Sequence, residues 1–515
     1  MRKPRLLSPM GVIALAPLAL FACQSTSDTS TGGSAGSGGS AGAGGSAGSG
    51  GAGGATADGG LDPNGNYTPK GCSFVIGARP EYQQWAIGTS DTGATPHIRR
   101  VRLGLGGSVA QGSPGHADPS TSAGVAWQTD DGTLASDLAW GDSTDASTWP
   151  AAQRVTGVTW LTPPGVINGN GAQRMHETYV CGLTPGRTYY YRVGGGAAGS
   201  EQWSDVYAFT TAPADGTTSV KIAVTGDSRG EQQDAWRVLQ SRLLGKGVGL
   251  QLFSGDMINL APDQGEWEQW LDNAGTGPDG KASALPQLLT LAAHGNHDNH
   301  TSLFFGNLVL PQDPTAFTAR FAELFFSVDF GPVHAVIIDD AYLISTPADA
   351  DYKAAVTEWL QKDLDAADKN RAARPWIVAV HHHPEFSSSA HGKDADVMRG
   401  RNFFVPIWDQ YHVDMVLNGH DHDYERSKPL TGPADSPVLQ STNTAGTTYV
   451  VCAGSGAEGY GAGQNTWTAF SHAYSGTEIG MYGLLTADQH SLTLEAHALT
   501  ADGSDPVLDQ ATLTR

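Results

Sequence analysis

Five short motifs, spread from Asp227 to His422, each follow an apolar run. They are Gly226-Asp227, Gly255-Asp256, Gly295-Asn296-His297-Asp298, His381-His382-His383-Pro384 and Gly419-His420-Asp421-His422. The runs before them are residues 222–225, 250–254, 288–293, 376–380 and 415–417. Short apolar runs bounded by glycine or polar residues read as buried strands. A sheet that presents side chains beyond the ends of its strands lines them along one crevice. Residues as distant in sequence as Asp227 and His422 can therefore meet at one metal centre. Carboxylate and amide oxygens mixed with imidazoles suit Mn, Fe or Zn, and do not make a structural thiolate site.

The remainder of the chain divides by composition. At 515 residues it is long enough for two or three domains. Its 67 glycines are uneven, with residues 31–60 almost wholly Gly, Ser and Ala. Residues 24–70 read as a disordered tether, because they offer little apolar surface to bury. Residues 71–215 read as an all-β sandwich. Short runs at 98–103, 124–129, 189–193 and 206–211 alternate there with Gly, Pro, Asp and Ser. From residue 216 to 515 strands and helices alternate. Helical spacing is seen at 231–244, 265–272, 352–367 and 403–411, and strands at 333–339, 449–453 and within 482–499. The net charge of -22 argues against nucleic acid as a partner, since a phosphate backbone needs a basic face. An acidic chain can still take a phosphate ester where metal ions supply the positive charge.

The first residues read as an export signal. Arg2, Lys3 and Arg5 form a basic region ahead of the apolar stretch 12–21, which is short for a membrane span. The stretch ends in Leu20-Phe21-Ala22-Cys23, which resembles the lipobox of bacterial lipoproteins. That resemblance implies cleavage after residue 22 and lipid attachment at Cys23. The protein would then be anchored to a bacterial membrane, facing the periplasm or the exterior. Among the other cysteines, Cys72 and Cys181 flank the predicted sandwich and are the candidate pair in an oxidising compartment. Cys452, in an apolar run, reads as a buried free thiol.

The motif set resembles the calcineurin-like metallophosphoesterase superfamily, whose pattern is an early Asp, then GD, GNH[DE], a His before Pro, and GHxH. All five occur here in order. The last extends to Gly419-His420-Asp421-His422-Asp423-Tyr424-Glu425-Arg426-Ser427, and the segment from His176 to Gly194 is similar to the end of a fibronectin-III-like domain; both resemble purple acid phosphatases. The resemblance implies an N-terminal fibronectin-III-like sandwich followed by an αββα-type catalytic domain. It also implies a centre of two divalent or mixed-valence ions of Fe, Mn or Zn, acting on a phosphate-ester substrate. By that likeness Asp227 and His422 hold the first ion. Asn296, His382 and His420 hold the second, and Asp256 bridges. His297 and His391 face the substrate, His297 as a general acid. His381 and His383 are left as packing or supporting groups, and His300 and His412 as structural ones.

Two positions depart from the family. Arg229 stands where many members have a histidine, and Asn259 where purple acid phosphatases have a tyrosine ligand. Asn259 either replaces that ligand with a neutral oxygen or caps the following helix. Arg229 either reaches the substrate phosphate or pairs with a neighbouring acid. Specificity is expected from loops such as 307–318 and 428–447. Phosphomonoester hydrolysis is the leading expectation. A phosphodiesterase or nucleotidase on the same centre is the alternative, and a non-catalytic surface-anchored binding protein a third.

Overall fold

Residues of alternating polarity build the N-terminal part. In the strand Thr188–Gly195, Tyr189, Tyr191 and Val193 are buried while Tyr190 and Arg192 are only half-buried, the period of a pleated strand. The computed structural model describes residues 59–515 except positions 111, 114, 230–232, 276–283 and 475. The signal segment, Cys23 and most of the tether lie outside the described residues. Residues 59–70, read from sequence as the end of the tether, carry a short hairpin in which Gly60–Leu61 pairs with Tyr67–Thr68. Tyr67 is buried there, its hydroxyl donating to the Thr156 carbonyl at 2.7 Å.

Two sheets form the sandwich. One has the order Gln83–Ile87, Val158–Thr162, Gln173–Cys181, Ser122–Thr129, Arg99–Gly104. The other has the order Gln202–Trp203, Thr188–Gly195, Asp137–Gly141, Arg154–Thr156, with Tyr207–Thr210 also paired to Thr188–Gly195. Trp127, wholly buried, stacks on the His176 ring at 5.0 Å. Cys72 and Cys181 form a disulfide, and Cys452 is free and buried.

The second part is two facing sheets with helices outside. The first sheet has the order Leu289–Ala292, Leu250–Phe253, Val220–Thr225, Glu478–Ala487, Ser491–Thr500, Val507–Thr514. The second has the order Phe325–Phe330, Val333–Ile338, Trp376–Val380, Met415–Asn418, Thr448–Cys452, Tyr424–Ser427, Thr468–His472. Three adjacent strands of the first sheet and four of the second run parallel to one another. Apart from half-buried Lys221, those strands are buried throughout, as a parallel sheet covered on both faces requires. Among the outer helices, Ala350–Lys369 starts at Asp349, whose carboxylate accepts the Tyr352 N–H at 2.9 Å. It buries Tyr352, Val356, Trp359, Leu360 and Leu364 along one stripe. The helix expected at 403–411 begins earlier, at Ala395, and contains Pro406. The edge strands Phe325–Phe330 and Val507–Thr514 were not anticipated, because their apolar runs are interrupted by charged residues.

The sandwich is packed onto the second part and is not a free spacer. Arg79 donates to Glu323 at 3.1 Å and to the Ala322 carbonyl at 2.6 Å, with its guanidinium over the Phe305 ring. Tyr191 donates to the Pro286 carbonyl at 2.6 Å, and Trp359 to the Val109 carbonyl at 2.7 Å. The segment 307–318, expected to be a pocket loop, lies in this contact instead. Leu308, Val309 and Leu310 are buried, and Gln312 N–H donates to the Gly107 carbonyl at 2.9 Å.

Candidate metal centre

The strand ends converge as the motif spacing requires. Asp227 follows Val220–Thr225, Asp256 follows Leu250–Phe253, and Asn296 follows Leu289–Ala292. His382 follows Trp376–Val380, and His420 and His422 follow Met415–Asn418. The connecting turns are tied together: Asp227 N–H donates to the Gly255 carbonyl at 2.9 Å, and Gly419 N–H to the His382 carbonyl at 2.9 Å. A Cβ at Gly419 would come within 2.4 Å of an Asp227 carboxylate oxygen, so only glycine lets this turn close over the aspartate. Asp227, Asp256 and His420 themselves hold positive φ angles of 51°, 60° and 72°. Side chains other than glycine seldom adopt that region, and such residues gather at functional sites.

The donors fall into two overlapping groups. In the first, Asp227, Asp256 and His382 have ligand atoms within 4.8 Å of one another. His422 Nε2 lies 3.5 Å from Asp227 Oδ1, and His382 Nε2 3.4 Å from Asp256 Oδ2. In the second, Asn296 Oδ1 sits 2.9 Å from His382 Nε2 and 3.0 Å from His420 Nδ1. The backbone fixes the rings: the Ser254 carbonyl faces His382 Nδ1 at 2.9 Å, and the Glu458 carbonyl faces His422 Nδ1 at 2.7 Å. Each carbonyl accepts the Nδ1 hydrogen, which turns Nε2 inward as the atom that would meet an ion. Hard oxygens and inward imidazole nitrogens on one half-open floor are a donor set that fits divalent first-row ions.

Asp227, Asp256, His382 and His422 are buried, while Asn296 is exposed and His297, His391 and His420 are part-exposed at the mouth. Burial pushes the Asp256 carboxyl up, but His382, His297 and Arg229 outweigh it and hold it well below the usual carboxylate range. Burial pushes His382 down, yet Asp256 above all lifts it to about 10. His420 is held well below its ordinary value by burial and by His383 and His382.

The remaining predicted residues fall as follows. His297 places Nδ1 2.7 Å from the Asn259 carbonyl and Nε2 4.0 Å from Asp256 Oδ2. His391 lies at the rim, its ring 4.7 Å from that of His420 and its Nδ1 2.9 Å from Asp394. Asn259 does not cap the next helix. Asp263 does so, accepting the Glu266 N–H at 3.1 Å, and Asn259 Oδ1 accepts from Arg229 at 3.2 Å. Arg229 also pairs with Asp256 at 3.2 Å. His381 is outside the centre, buried between Asp340 and Glu385. His383 is held by Asp340 at 2.9 Å, with its ring 4.3 Å from His420.

Two supporting residues were not singled out from sequence. Asp298 accepts the N–H groups of Gly295, Asp256 and Met257 at 3.0, 2.9 and 3.0 Å, which shapes the Asp256 turn. Burial, and then the Asp256 charge, push its carboxyl up to about 7. Its place in the motif Gly295-Asn296-His297-Asp298 was the available signal. Tyr460 stacks on His422 at 4.1 Å, and no local pattern marked it. Tyr424, the nearer tyrosine in sequence, turns away to Asp509 at 2.9 Å.

Comparison with known proteins agrees with this geometry. Residues 113–211 match the family model "Purple acid Phosphatase, N-terminal domain", and residues 220–424 match "Calcineurin-like phosphoesterase". The chain is 25% identical over 375 residues to acid phosphatase type 7 of Danio rerio, covering 66% of this chain and 77% of that one. It is 28% identical over 273 residues to purple acid phosphatase 21 of Arabidopsis thaliana, covering 51% and 56%. The structure of a purple acid phosphatase from yellow lupin seeds superposes with a TM-score of 0.62 at 19% identity, over 82% of this chain and 75% of that one. With the donors at the strand ends and both domains matched, the chain carries a calcineurin-like phosphoesterase domain, that of a metal-dependent hydrolase of phosphate esters, behind a domain similar to the N-terminal domain of purple acid phosphatases.

Proposed function

We propose that the protein is an exported phosphomonoester hydrolase with a two-ion centre. The observation that carries this reading is the meeting of six donors from five strand ends on one half-open floor. Asp227, Asp256 and His422, with Asn259 as a neutral oxygen, would hold the first ion. Asp256, Asn296, His382 and His420 would hold the second, with Asp256 shared. When bound, such divalent ions of Mn, Fe or Zn offset charge on the phosphate and lower the pKa of water. The chain's own residues supply the rest. The backbone carbonyls of Ser254 and Glu458 fix the imidazole tautomers. His297 and His391, part-exposed at the mouth, would pass a proton to the leaving oxygen.

Export with lipid attachment at Cys23 belongs to the same reading, supported by the basic, apolar and Leu20-Phe21-Ala22-Cys23 segments and the Gly/Ser tether. Mass spectrometry of the native N-terminus checks it; an unmodified N-terminus would remove the anchor and leave the enzyme reading intact.

The central test is Asp256→Ala. Removing a shared carboxylate leaves cations facing one another without their common anion, so metal content and hydrolysis of a phosphomonoester fall together. Wild-type turnover by a metal-stripped Asp256→Ala protein would refute the site. A panel of monoesters, diesters and nucleotides then separates a monoesterase from a phosphodiesterase on the same centre.

A further inference from the structure

Arg229 makes contacts that an ordinary surface arginine does not. Its Nε lies 3.2 Å from Asp256 Oδ2, its Nη1 3.2 Å from Asn259 Oδ1, and its Nη2 3.2 Å from His422 Nε2. The side chain is only 10% exposed. These three atoms are the shared carboxylate oxygen, the neutral oxygen and the imidazole lone pair assigned above to the first ion. The Glu458 carbonyl takes the Nδ1 hydrogen of His422, so its Nε2 is an acceptor, and Arg229 is the donor it meets. The stacked Tyr460 ring closes this side of the group. The second set meets Arg229 only through the shared Asp256: among the described residues, no arginine or lysine hydrogen-bonds Asn296, His382 or His420, and Asn296 Oδ1 faces only imidazoles.

A planar guanidinium and a small divalent ion cannot use these atoms together. His422 Nε2 has one lone pair, which serves either an N–H or an ion. The Asp256 oxygen that accepts from the guanidinium is likewise one that the first ion would take. The guanidinium cannot shed its charge to make way, because arginine stays protonated in proteins. Entry of an ion must therefore break three hydrogen bonds and move the side chain.

We propose that Arg229 is the protein's own cation at the first position and competes with the first ion, so that the centre binds one ion firmly and the other loosely. The inference rests on the metal-centre reading and adds an asymmetry that the motif pattern does not contain. The firm ion belongs to Asp256, Asn296, His382 and His420. The loose one enters among Asp227, Asp256, Asn259 and His422 only when Arg229 has left. Releasing charge-assisted hydrogen bonds of this kind corresponds to about a ten- to hundredfold loss of affinity.

The test is calorimetric titration of the metal-free full chain with Mn2+, read alongside the electron paramagnetic resonance spectrum. Wild type is expected to show one tight step and a second about ten- to hundredfold weaker. At one equivalent the spectrum is that of an isolated Mn2+. Arg229→Met keeps the apolar stem and removes the fork. It should narrow the gap by that factor and give a spin-coupled pair at two equivalents. Arg229→Lys keeps a charge that cannot span three groups and should fall between. It also serves as the test if Arg229→Met melts early. Two equally tight steps in wild type, or an unchanged gap in both variants, overturn the proposal while leaving the metal centre standing. His382→Ala should abolish the tight step. If neither wild type nor any variant binds Mn2+, the metal-centre reading itself fails, and this proposal with it.

Discussion

At the scale of single residues, His297 separates chemistry from metal binding. Its backbone N–H donates to Asp256 Oδ1 at 2.9 Å, while its ring is oriented by the Asn259 carbonyl and not by a carboxylate. The ring therefore stands beside the donors without being one of them. His297→Ala should lower kcat by about 10²–10⁴-fold, the usual worth of a positioned general acid, with metal content unchanged. Turnover and metal analysis on the same sample check this; equal losses of both would make His297 a support for the Asp256 turn. Residue identity alone could not resolve Asn259 and Arg229. Each had two chemically sensible partners in sequence. Only the turn after Leu250–Phe253 brings Asn259 within reach of Arg229 and leaves the helix cap to Asp263.

At the scale of elements, one ion cluster around the buried His334 pins a hairpin of the second sheet to a helix. His334, in Val333–Ile338, places Nδ1 2.8 Å from Asp329 of the paired strand Phe325–Phe330. Its Nε2 lies 2.9 Å from Asp363 of the helix Ala350–Lys369. Arg374 also pairs with Asp329 at 2.9 Å. Burial pushes the His334 imidazole down, but Asp363 and then Asp329 outweigh it and lift it to about 10. A pKa raised above its ordinary value of 6.5 gives stability that is complete below pH 6.5 and lost as pH climbs through about 10. His334→Gln should cost about 3–5 kcal/mol at pH 6, where it removes the imidazolium from between Asp363 and Asp329, and progressively less toward pH 10. Urea unfolding at several pH values checks this; a pH-independent loss would show that packing, not charge, carries the effect.

At the scale of the whole molecule, the sandwich and the catalytic part share a continuous apolar core, which runs from Val101 through Ile222 to Leu513. The Cys72–Cys181 disulfide ties the start of the sandwich to the end of its strand Gln173–Cys181, across a sequence separation of 109. Closing so long a loop restricts the unfolded chain. The double variant Cys72→Ser with Cys181→Ser should lose about 2–5 kcal/mol of unfolding free energy while keeping the metal centre, which lies on other strands. Denaturant midpoints with metal analysis test it; loss of metal without loss of stability would contradict this account.

The sequence by itself determined the strand ends, the donor types and the two-domain order. Each of these is local: an apolar run makes a buried strand, a glycine beside an aspartate makes the turn, and His420 and His422 are close neighbours in one loop. Tertiary structure alone decided that Tyr460 stacks on His422, that residues 307–318 pack against the sandwich, and that Arg229 spans Asp256, Asn259 and His422. Tyr460 carries no strand period or motif, and its place depends on how far the turn after Thr448–Cys452 reaches. The direction of a long arginine side chain is set by the charges around it. Those charges come from strands distant in sequence, and only packing brings them together.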